Sequence, residues 1–457
     1  MTAAHPIDRA DVAELRERIR GAVHRPVDHG YPTVGFNVAV DRRPWAVIDA
    51  HDAGDVVAAV GFAGANDMTV AVHATGHGAV TVDGTSLLVR TSGMTAIEID
   101  PRERTARVGA GVRWQQVLEA AAPHGLAPLC GSAPSVGVIG FLTGGGIGPL
   151  VRAVGCSSDH VREFEVVTGD GRLVHASPSE NAELFWGLRG GKATLGVVTE
   201  AVIDLLPIAT LYAGAMYFDA ADAEVVLRRW RAWTDTLPDD ADTSVAVMRL
   251  PDLPGVPAPL AGRTTVAVRY AALTTPERAE AVLAPIRAAA DPILDTVGTM
   301  PYAAIGAVHA DPVDPMPVVE GGVLLRDLSD GVVDEILRHA GPDVRTGLAV
   351  VEIRLLGGRF AQAPRVDSAV CHRDAVAHLY AVGVLAPEAA DIAAGQVSAL
   401  VASMADYSDG RRLPNFSASS DQAVIAACYD EETRSWLSAL AVRFDRRGVL
   451  RAGQVVR

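Results

Sequence analysis

The segment Met68-Thr-Val-Ala-Val-His-Ala-Thr-Gly-His-Gly78 determines how this chain is interpreted. It begins as an apolar run typical of a β-strand and ends in a loop of small residues that carries two histidines. Two more glycine-dense loops follow, at residues 131–148 and 188–196. Glycine lets consecutive backbone N–H groups turn toward an anion, because no Cβ blocks the approach. Three such loops predict one large anionic ligand.

Neither of the later loops matches a nucleotide-binding fingerprint. The run Gly144-Gly-Gly-Ile-Gly148 departs from G-x-G-x-x-G because Pro149 stands at the last glycine position. The pair Gly191-Lys192 does not make a P-loop, since Trp186 occupies the first glycine position and Ala193 the hydroxyl position. The sequence therefore argues against a Rossmann or P-loop domain.

Composition and charge narrow the class of protein. With 457 residues, 49% of them hydrophobic, the chain is long enough for two or three domain-sized units. A net charge of −15 disfavours nucleic acid and membrane surfaces as partners. The sequence contains no apolar run of about 18 residues, as a spanning helix needs, and its four scattered cysteines have no metal-ligand spacing. The cysteine spacing therefore predicts no metal. Because the first residues lack an export-signal pattern, we expect a cytoplasmic location.

Taken in order, the three loops resemble the FAD-linked oxidases with a vanillyl-alcohol-oxidase (PCMH) type FAD-binding domain, in the berberine-bridge-enzyme-like branch. The resemblance covers residues 40–207 closely and roughly the last fifty residues loosely. It is carried by the segments His73-Ala-Thr-Gly-His77, Ser135-Val-Gly-Val-Ile-Gly140 with Gly144–Gly148, and Leu184–Gly191 with Gly196-Val-Val-Thr199.

The resemblance implies an FAD cofactor whose pyrophosphate lies against the first loop and whose 8α-methyl group is bonded to His77. A capping or pyrophosphate-contacting histidine is the alternative for His77, and His73 is expected to neighbour the pyrophosphate. The other cofactor-binding residues that the resemblance implies are Ala74, Thr75, Gly76, Gly78, Ser132, Ser135, Val136, Gly137, Gly140, Thr143, Gly144, Gly145, Gly146, Gly148, Gly196, Val197, Val198 and Asn415.

Two departures from the family pattern change these expectations. Many relatives attach the flavin a second time through a cysteine, but Ala133 stands at that position and Cys130 comes three residues too early. Attachment through His77 alone is therefore expected. The arginine usual in the first loop is replaced by His73, which removes a permanent charge near the pyrophosphate.

The order of the elements predicts an α+β fold. We expect an FAD-binding domain in two parts. The first is a small β-α-β subdomain, with strands at 45–49 and 69–73 around a helix from Asp52 to Ala65. The second is a larger α+β subdomain that contains a hairpin at 164–175. An α+β substrate domain follows, with an antiparallel sheet over the flavin. Residues 1–39 are expected to form a leader packed on the flavin domain, with a helix over 8–24. The FAD-binding domain is expected over 40–207 and the substrate domain over 208–410. Residues 411–457 are expected to form a C-terminal segment that returns to the flavin domain.

Candidate catalytic groups lie mainly in the substrate domain. Glu352 and Arg354 interrupt the apolar strand Val350–Leu356 and, being two residues apart, face the same side. Buried charges are costly unless they are paired or used, so we expect them to contact substrate and transfer the proton, with a structural ion pair as the alternative. By resemblance, Asn415 orients the substrate or the flavin. Tyr302 and Tyr380 would act as bases if their pKa values were lowered, the alternative being a buried, hydrogen-bonded role.

The expected function is an oxidase that transfers hydride from an alcohol, amine or activated C–H of a small organic substrate to FAD, with dioxygen as the electron acceptor and hydrogen peroxide as the product. A dehydrogenase with another acceptor, and a flavin-binding protein without catalysis, are the alternatives. Lys192, the only lysine, is attributed to compositional bias rather than to catalysis.

Overall fold

The computed structural model describes residues 10–385 and 390–457. Its first sheet has the strand order β1-β2-β4-β3 and pairs β2 and β3 in parallel with β4. These strands are β1 (Ala22–His24), β2 (Ala46–Asp49), β3 (Thr69–His73) and β4 (Ser86–Arg90). Two helices pack with this sheet, α1 (Val12–Arg18) and α2 (Ala53–Ala65). The Asp52 carboxylate accepts the Asp55 N–H and caps α2, so the predicted β-α-β unit is confirmed.

The prediction of a single helix over residues 8–24 is wrong beyond Arg18. Residues 8 and 9 lie outside the described part of the chain, and α1 ends at Arg18. The backbone N–H groups of Arg20 and Gly21 donate to the Asp55 carboxylate at 2.6 and 3.0 Å. These bonds turn the chain into β1, where Val23 pairs with β2 instead of continuing the helix.

The second sheet is antiparallel, with the order β5-β6-β10-β8-β9 and a short β7 on β10. Its strands are β5 (Ile97–Asp100), β6 (Thr105–Gly109), β7 (Ala127–Pro128), β8 (Val161–Val167), β9 (Leu173–Ala176) and β10 (Val197–Leu206). Its helices are α3 (Trp114–Ala121), α4 (Val138–Leu142), α5 (Val151–Val154) and α6 (Ala182–Leu188). The predicted hairpin is confirmed as β8 and β9.

The third sheet is antiparallel as well, with the order β14-β11-β13-β12-β17-β18-β16 and β15 on β11. Its strands are β11 (Thr210–Asp219), β12 (Ala241–Arg249), β13 (Thr264–Ala272), β14 (Leu294–Asp295), β15 (Gly298–Pro301), β16 (Val318–Leu325), β17 (Leu348–Leu355) and β18 (Ala377–Val384). Four helices share a buried apolar core with it: α7 (Ala223–Thr234), α8 (Pro276–Arg287), α9 (Asp330–Ala340) and α10 (Ala390–Ser403). The predicted α+β class is confirmed.

The C-terminal residues lie beside the strand that leads into the first glycine loop. After α11 (Gln422–Ala426) and α12 (Glu431–Phe444), the buried Asp445 carboxylate accepts the N–H groups of Val449 and Leu450 at 2.7 and 3.0 Å. The Val70 N–H of β3 donates to the Val449 carbonyl at 2.8 Å. Within the described ranges, no helix has the length and apolar character needed to span a bilayer.

Candidate cofactor and substrate site

The first and second glycine loops touch each other. The first loop, residues 73–78, follows β3 directly, and the second loop comprises residues 131–148. The Gly137 N–H donates to Thr75 Oγ1 at 3.4 Å, and Ser135 Oγ lies 3.4 Å from His77 Nε2. Gly76 adopts a φ of +75°, and a Cβ there would lie 2.6 Å from the Gly35 Cα, so this turn requires glycine.

The third loop, residues 188–196, is fixed to the second. The backbone N–H groups of Gly190 and Lys192 both donate to the Thr143 carbonyl, at 3.1 and 2.9 Å. A Cβ on Gly144 would lie 2.1 Å from Asn415 Oδ1, so glycine permits this close approach. The three loops therefore meet, as the sequence predicted. The other residues expected to bind the cofactor lie on the first two loops, namely Ala74, Gly78, Ser132, Val136, Gly140, Gly145, Gly146 and Gly148, or at the start of β10, namely Gly196, Val197 and Val198.

His77 lies in a largely buried, apolar setting. Its ring stacks on Phe36, with centroids 4.1 Å apart and planes 11° apart. Burial, helped by the charge of Arg113, lowers the pKa of His77 to about 4. The imidazole is therefore neutral at physiological pH, and a ring nitrogen has a free lone pair.

Arg42 supplies a positive charge beside the first loop, where His73 replaces the usual arginine. Its Nη1 lies 2.5 Å from His73 Nδ1, and burial together with Arg42 lowers the pKa of His73 to about 4. The Arg42 guanidinium is buried and its Nε has no hydrogen-bond partner. Among residues 10–385 and 390–457, no carboxylate lies within ion-pair distance of it. The sequence analysis did not identify Arg42, because it lies 31 positions before His73 and is one of 39 arginines.

The segment Phe36-Asn37 joins the first loop to the third sheet. The Phe36 N–H donates to the Thr75 carbonyl at 3.2 Å. The Asn37 side chain donates to the Val318 carbonyl at 2.9 Å, at the start of β16. The first residues of β16 therefore lie next to the loop that carries His77, and Glu320 is two residues further along that strand.

Glu320 and Tyr380 form a half-buried pair on neighbouring strands. The Tyr380 hydroxyl donates to Glu320 Oε2 at 2.5 Å. In the described part of the chain, no cationic side chain lies within ion-pair distance of Glu320. Burial raises the pKa of Glu320, and burial and the neighbouring carboxylate raise the pKa of Tyr380 well above its usual value. The sequence analysis singled out Tyr380 but missed Glu320, although a carboxylate in the apolar run Val318–Leu325 is the same kind of signal that identified Glu352.

Glu352 and Arg354 belong to a buried ionic cluster. Glu352 accepts hydrogen bonds from Arg269 Nη1 at 3.0 Å and Arg354 Nη2 at 3.2 Å, and His309 Nε2 lies 3.2 Å away. Burial alone would raise the pKa of Glu352, but Arg354 and Arg269 hold it well below its usual value. A carboxylate stabilised in this way is a weak base, so the arrangement favours the structural ion pair over proton transfer for Glu352.

The two remaining predicted catalytic residues differ in position. Asn415 joins the loops, because its Oδ1 accepts from Lys192 Nζ and its Nδ2 donates to the Phe141 carbonyl at 2.9 Å. Phe416, the next residue, packs edge-on against the Tyr380 ring at 5.1 Å. Tyr302 instead donates to the Pro128 carbonyl at 2.8 Å within the core of the second sheet. Burial raises the pKa of Tyr302 well above its usual value, so its surroundings favour the buried, hydrogen-bonded alternative.

Comparison with known proteins gives a consistent picture. Residues 44–177 match the family model described as FAD binding domain. The chain is 35% identical over 193 residues to the (R)-6-hydroxynicotine oxidase of Paenarthrobacter nicotinovorans, a match that spans 41% of this chain and 42% of that protein. The matches with the first three curated relatives span only about two fifths of those proteins' lengths, at 42%, 37% and 38%.

Two solved structures share the fold over nearly the whole chain. The 6-hydroxy-D-nicotine oxidase of Arthrobacter nicotinovorans superimposes with a TM-score of 0.81 at 22% identity, covering 96% of this chain and 98% of that one. The berberine bridge enzyme of Eschscholzia californica gives a TM-score of 0.81 at 14% identity, covering 97% and 98%. The residues present fit an FAD, since the glycine-rich first loop and the Arg42 guanidinium beside it, which has no acidic partner among the described residues, suit a pyrophosphate.

Proposed function

Because the chain contains an FAD-binding domain and has the fold of the PCMH-type FAD-linked oxidases, we propose that it is an FAD-dependent oxidoreductase. Its substrate is a small organic molecule that loses a hydride from an alcohol, amine or activated C–H group. The observation that carries the proposal is the meeting of three glycine loops, the first of which carries a largely buried, neutral histidine. The name of the nicotine-oxidising relative is consistent with a small organic substrate.

In this proposal the three loops hold FAD and His77 attaches it covalently. The neutral imidazole of His77 keeps the lone pair that bonding to the 8α-methyl group requires. Arg42 and His73 bind the pyrophosphate together with the N–H groups of the first loop. The second loop and the Gly196-Val197-Val198 segment complete the binding surface, and Ala133 leaves no cysteine for a second attachment.

The proton that accompanies the hydride goes to the Glu320–Tyr380 pair. Glu320 is half-buried, and no cationic side chain of the described residues lies within ion-pair distance of it, so it is more basic than an exposed carboxylate. Tyr380 orients it through their hydrogen bond. Asn415 positions the reacting groups, and the Glu352–Arg354 cluster keeps the sheet rigid beneath them. When bound, the flavin accepts the hydride and transfers the electrons to dioxygen.

The attachment is tested by the absorption spectrum of acid-precipitated protein. Flavin colour retained in the pellet is expected for the native chain and for a Cys130→Ser control, and colour lost to the supernatant is expected for His77→Ala. A colourless native pellet would contradict covalent attachment. A protein that contains no flavin before precipitation and takes up no added FAD would overturn the proposed function itself.

The electron acceptor is tested by mixing anaerobically reduced protein with air. Reoxidation within seconds and formation of hydrogen peroxide are expected of an oxidase. Slow reoxidation would assign the protein to the dehydrogenases. We further propose a cytoplasmic location, which the four free cysteines support, and no nucleic-acid or membrane partner, which the net charge of −15 supports.

A further inference from the structure

Lys192, the only lysine of the chain, is held in place by its own backbone. It adopts a left-handed φ of +54°, which non-glycine residues rarely do, and its N–H donates to the Thr143 carbonyl at 2.9 Å. These features fix the point at which the Lys192 side chain leaves the backbone, between the second and third loops. A strained backbone at a non-glycine residue is often maintained because the side chain has a role.

The ammonium of Lys192 is bound by neutral acceptors only. Nζ donates to Asn415 Oδ1 and to the Gly140 carbonyl, the latter at 3.2 Å. The hydrogen bond from Asn415 Nδ2 to the Phe141 carbonyl keeps Oδ1 turned toward the lysine. In the ranges that the structure describes, no carboxylate lies within ion-pair distance of Nζ. An ammonium has three donors, so one N–H remains for a ligand.

The surroundings of Lys192 do not neutralise its charge. Burial lowers its pKa to about 8, and the negative charge of Glu320 on β16 acts in the opposite direction. The lysine is therefore still mostly protonated at neutral pH. A partly buried charge of this kind is costly unless a ligand supplies the opposite charge.

Resting on the proposed function, we infer that Lys192 binds the flavin ring system through its ammonium and stabilises the negative charge gained on reduction. Hydride addition to the neutral oxidised ring leaves one negative charge unless a further proton binds. The pyrophosphate is the other anion that FAD offers, but Arg42 already lies beside the first loop. Lys192 lies instead beside Asn415, whose neighbour Phe416 packs on Tyr380 of the proton-accepting pair.

The test uses the native holoprotein and follows Lys192 directly. Biosynthetic labelling with lysine carrying ¹³C at Cε produces a single side-chain NMR signal, because the chain has one lysine. The pKa read from this signal is expected to be higher in the dithionite-reduced protein than in the oxidised protein, since linkage between two charges is reciprocal. The same change is expected in Glu320→Gln, which rules out the carboxylate as its source. An unchanged lysine pKa on reduction overturns the inference.

The matched variants are Lys192→Met and Lys192→Arg. Loss of the charge in Lys192→Met is expected to lower the flavin reduction potential, and Lys192→Arg is expected to restore most of it. If Lys192→Met contains less FAD but keeps the native potential, the lysine binds the pyrophosphate and the inference is wrong. If the native protein binds no flavin, the proposed function is wrong and this inference is wrong as well. A native flavoprotein whose lysine pKa does not change on reduction would contradict this inference alone.

Discussion

Two glutamates on the third sheet, the buried Glu352 and the half-buried Glu320, have opposite surroundings. Glu352 on β17 touches two guanidinium groups and an imidazole, whereas Glu320 on β16 touches a tyrosine hydroxyl. Both lose water on folding, which by itself raises a carboxylate pKa. For Glu352 the two arginines more than offset this effect, whereas for Glu320 the Tyr380 hydrogen bond and the more distant Lys192 charge only reduce it.

The difference shows that the neighbours of a buried carboxylate, rather than its burial, decide what it does. Glu352 is stabilised in its charged form, so it contributes to the structure and is a poor base. Glu320 is destabilised in its charged form, so it is a stronger base than an exposed carboxylate and suits the proposed proton transfer. The sequence analysis proposed Glu352 for proton transfer because both residues present the same pattern, a lone acid in an apolar strand.

The largest expected effect is on the free energy of unfolding. Glu352→Gln leaves Arg269 and Arg354 buried without their counter-charge, which should cost about 3–5 kcal/mol. Urea unfolding of the purified protein measures this loss. Glu320→Gln is the matched control and should change stability by less than about 1 kcal/mol, because no ion pair is broken. Equal losses in the two variants would remove the distinction between the glutamates.

The next effect is on the rate of the chemical step. Glu320→Gln should slow reduction of the flavin by substrate about 100-fold or more, because the amide cannot accept the proton. Anaerobic stopped-flow absorbance measures this rate in protein with a full complement of flavin. If the rate is unchanged in Glu320→Gln but falls in a correctly folded Glu352→Gln, the two roles are reversed.

A smaller effect concerns Tyr380. Its hydroxyl donates to Glu320 and lowers the pKa of that carboxyl, so Tyr380→Phe should raise this pKa further. The rising limb of the pH profile of kcat/KM should then shift to higher pH. Tyr302→Phe serves as the control, since its hydroxyl donates to the Pro128 carbonyl and its loss should leave the profile where it is. An unshifted profile in Tyr380→Phe would place the titrating group elsewhere.

The smallest effect is the dependence of stability on pH, which should have opposite signs at the two glutamates. The pKa of Glu352 is depressed in the folded protein, so its stabilisation is present above the unfolded value of 4.5 and is lost as the pH falls below it. The pKa of Glu320 is raised, so its carboxyl destabilises the fold increasingly as the pH rises from 4.5 through the folded pKa. Glu320→Gln should therefore gain stability relative to the native chain as the pH rises across that window. A parallel pH dependence in both proteins would contradict the raised pKa.

Much of the fold was predictable because its signals are local. The apolar patterns that predict the helix from Asp52 to Ala65 and the hairpin at 164–175 act over a few positions, and both elements are present. The leader helix was predicted too long because the Asp55 carboxylate, some 35 positions away, binds the backbone after α1. Strand β18 was missed although Tyr380 lies in it, since its place is set by pairing with β16 and β17.

The residues of the candidate site likewise divide into those with local sequence signals and those whose role depends on distant partners. The glycine loops were predictable, because a turn such as that at Gly76 restricts the residue type at one position. Arg42, Glu320 and Lys192 were not recognised, because their significance depends on partners 31, 60 and 223 positions away. The domain boundaries and the roles of the individual site residues stay predictions.

By itself the sequence determined the α+β class and the three glycine-rich turns that predict an FAD-binding domain, since propensity and turn chemistry act between near neighbours. Only the tertiary structure decided which buried charges are neutralised. Among the residues that the structure describes, Arg42 has no acidic partner and Glu320 has no basic one within ion-pair distance, whereas Glu352 is bound by two arginines. The physical reason is that electrostatic energy depends on distance in space and on exclusion of water, and neither can be read from positions along the chain.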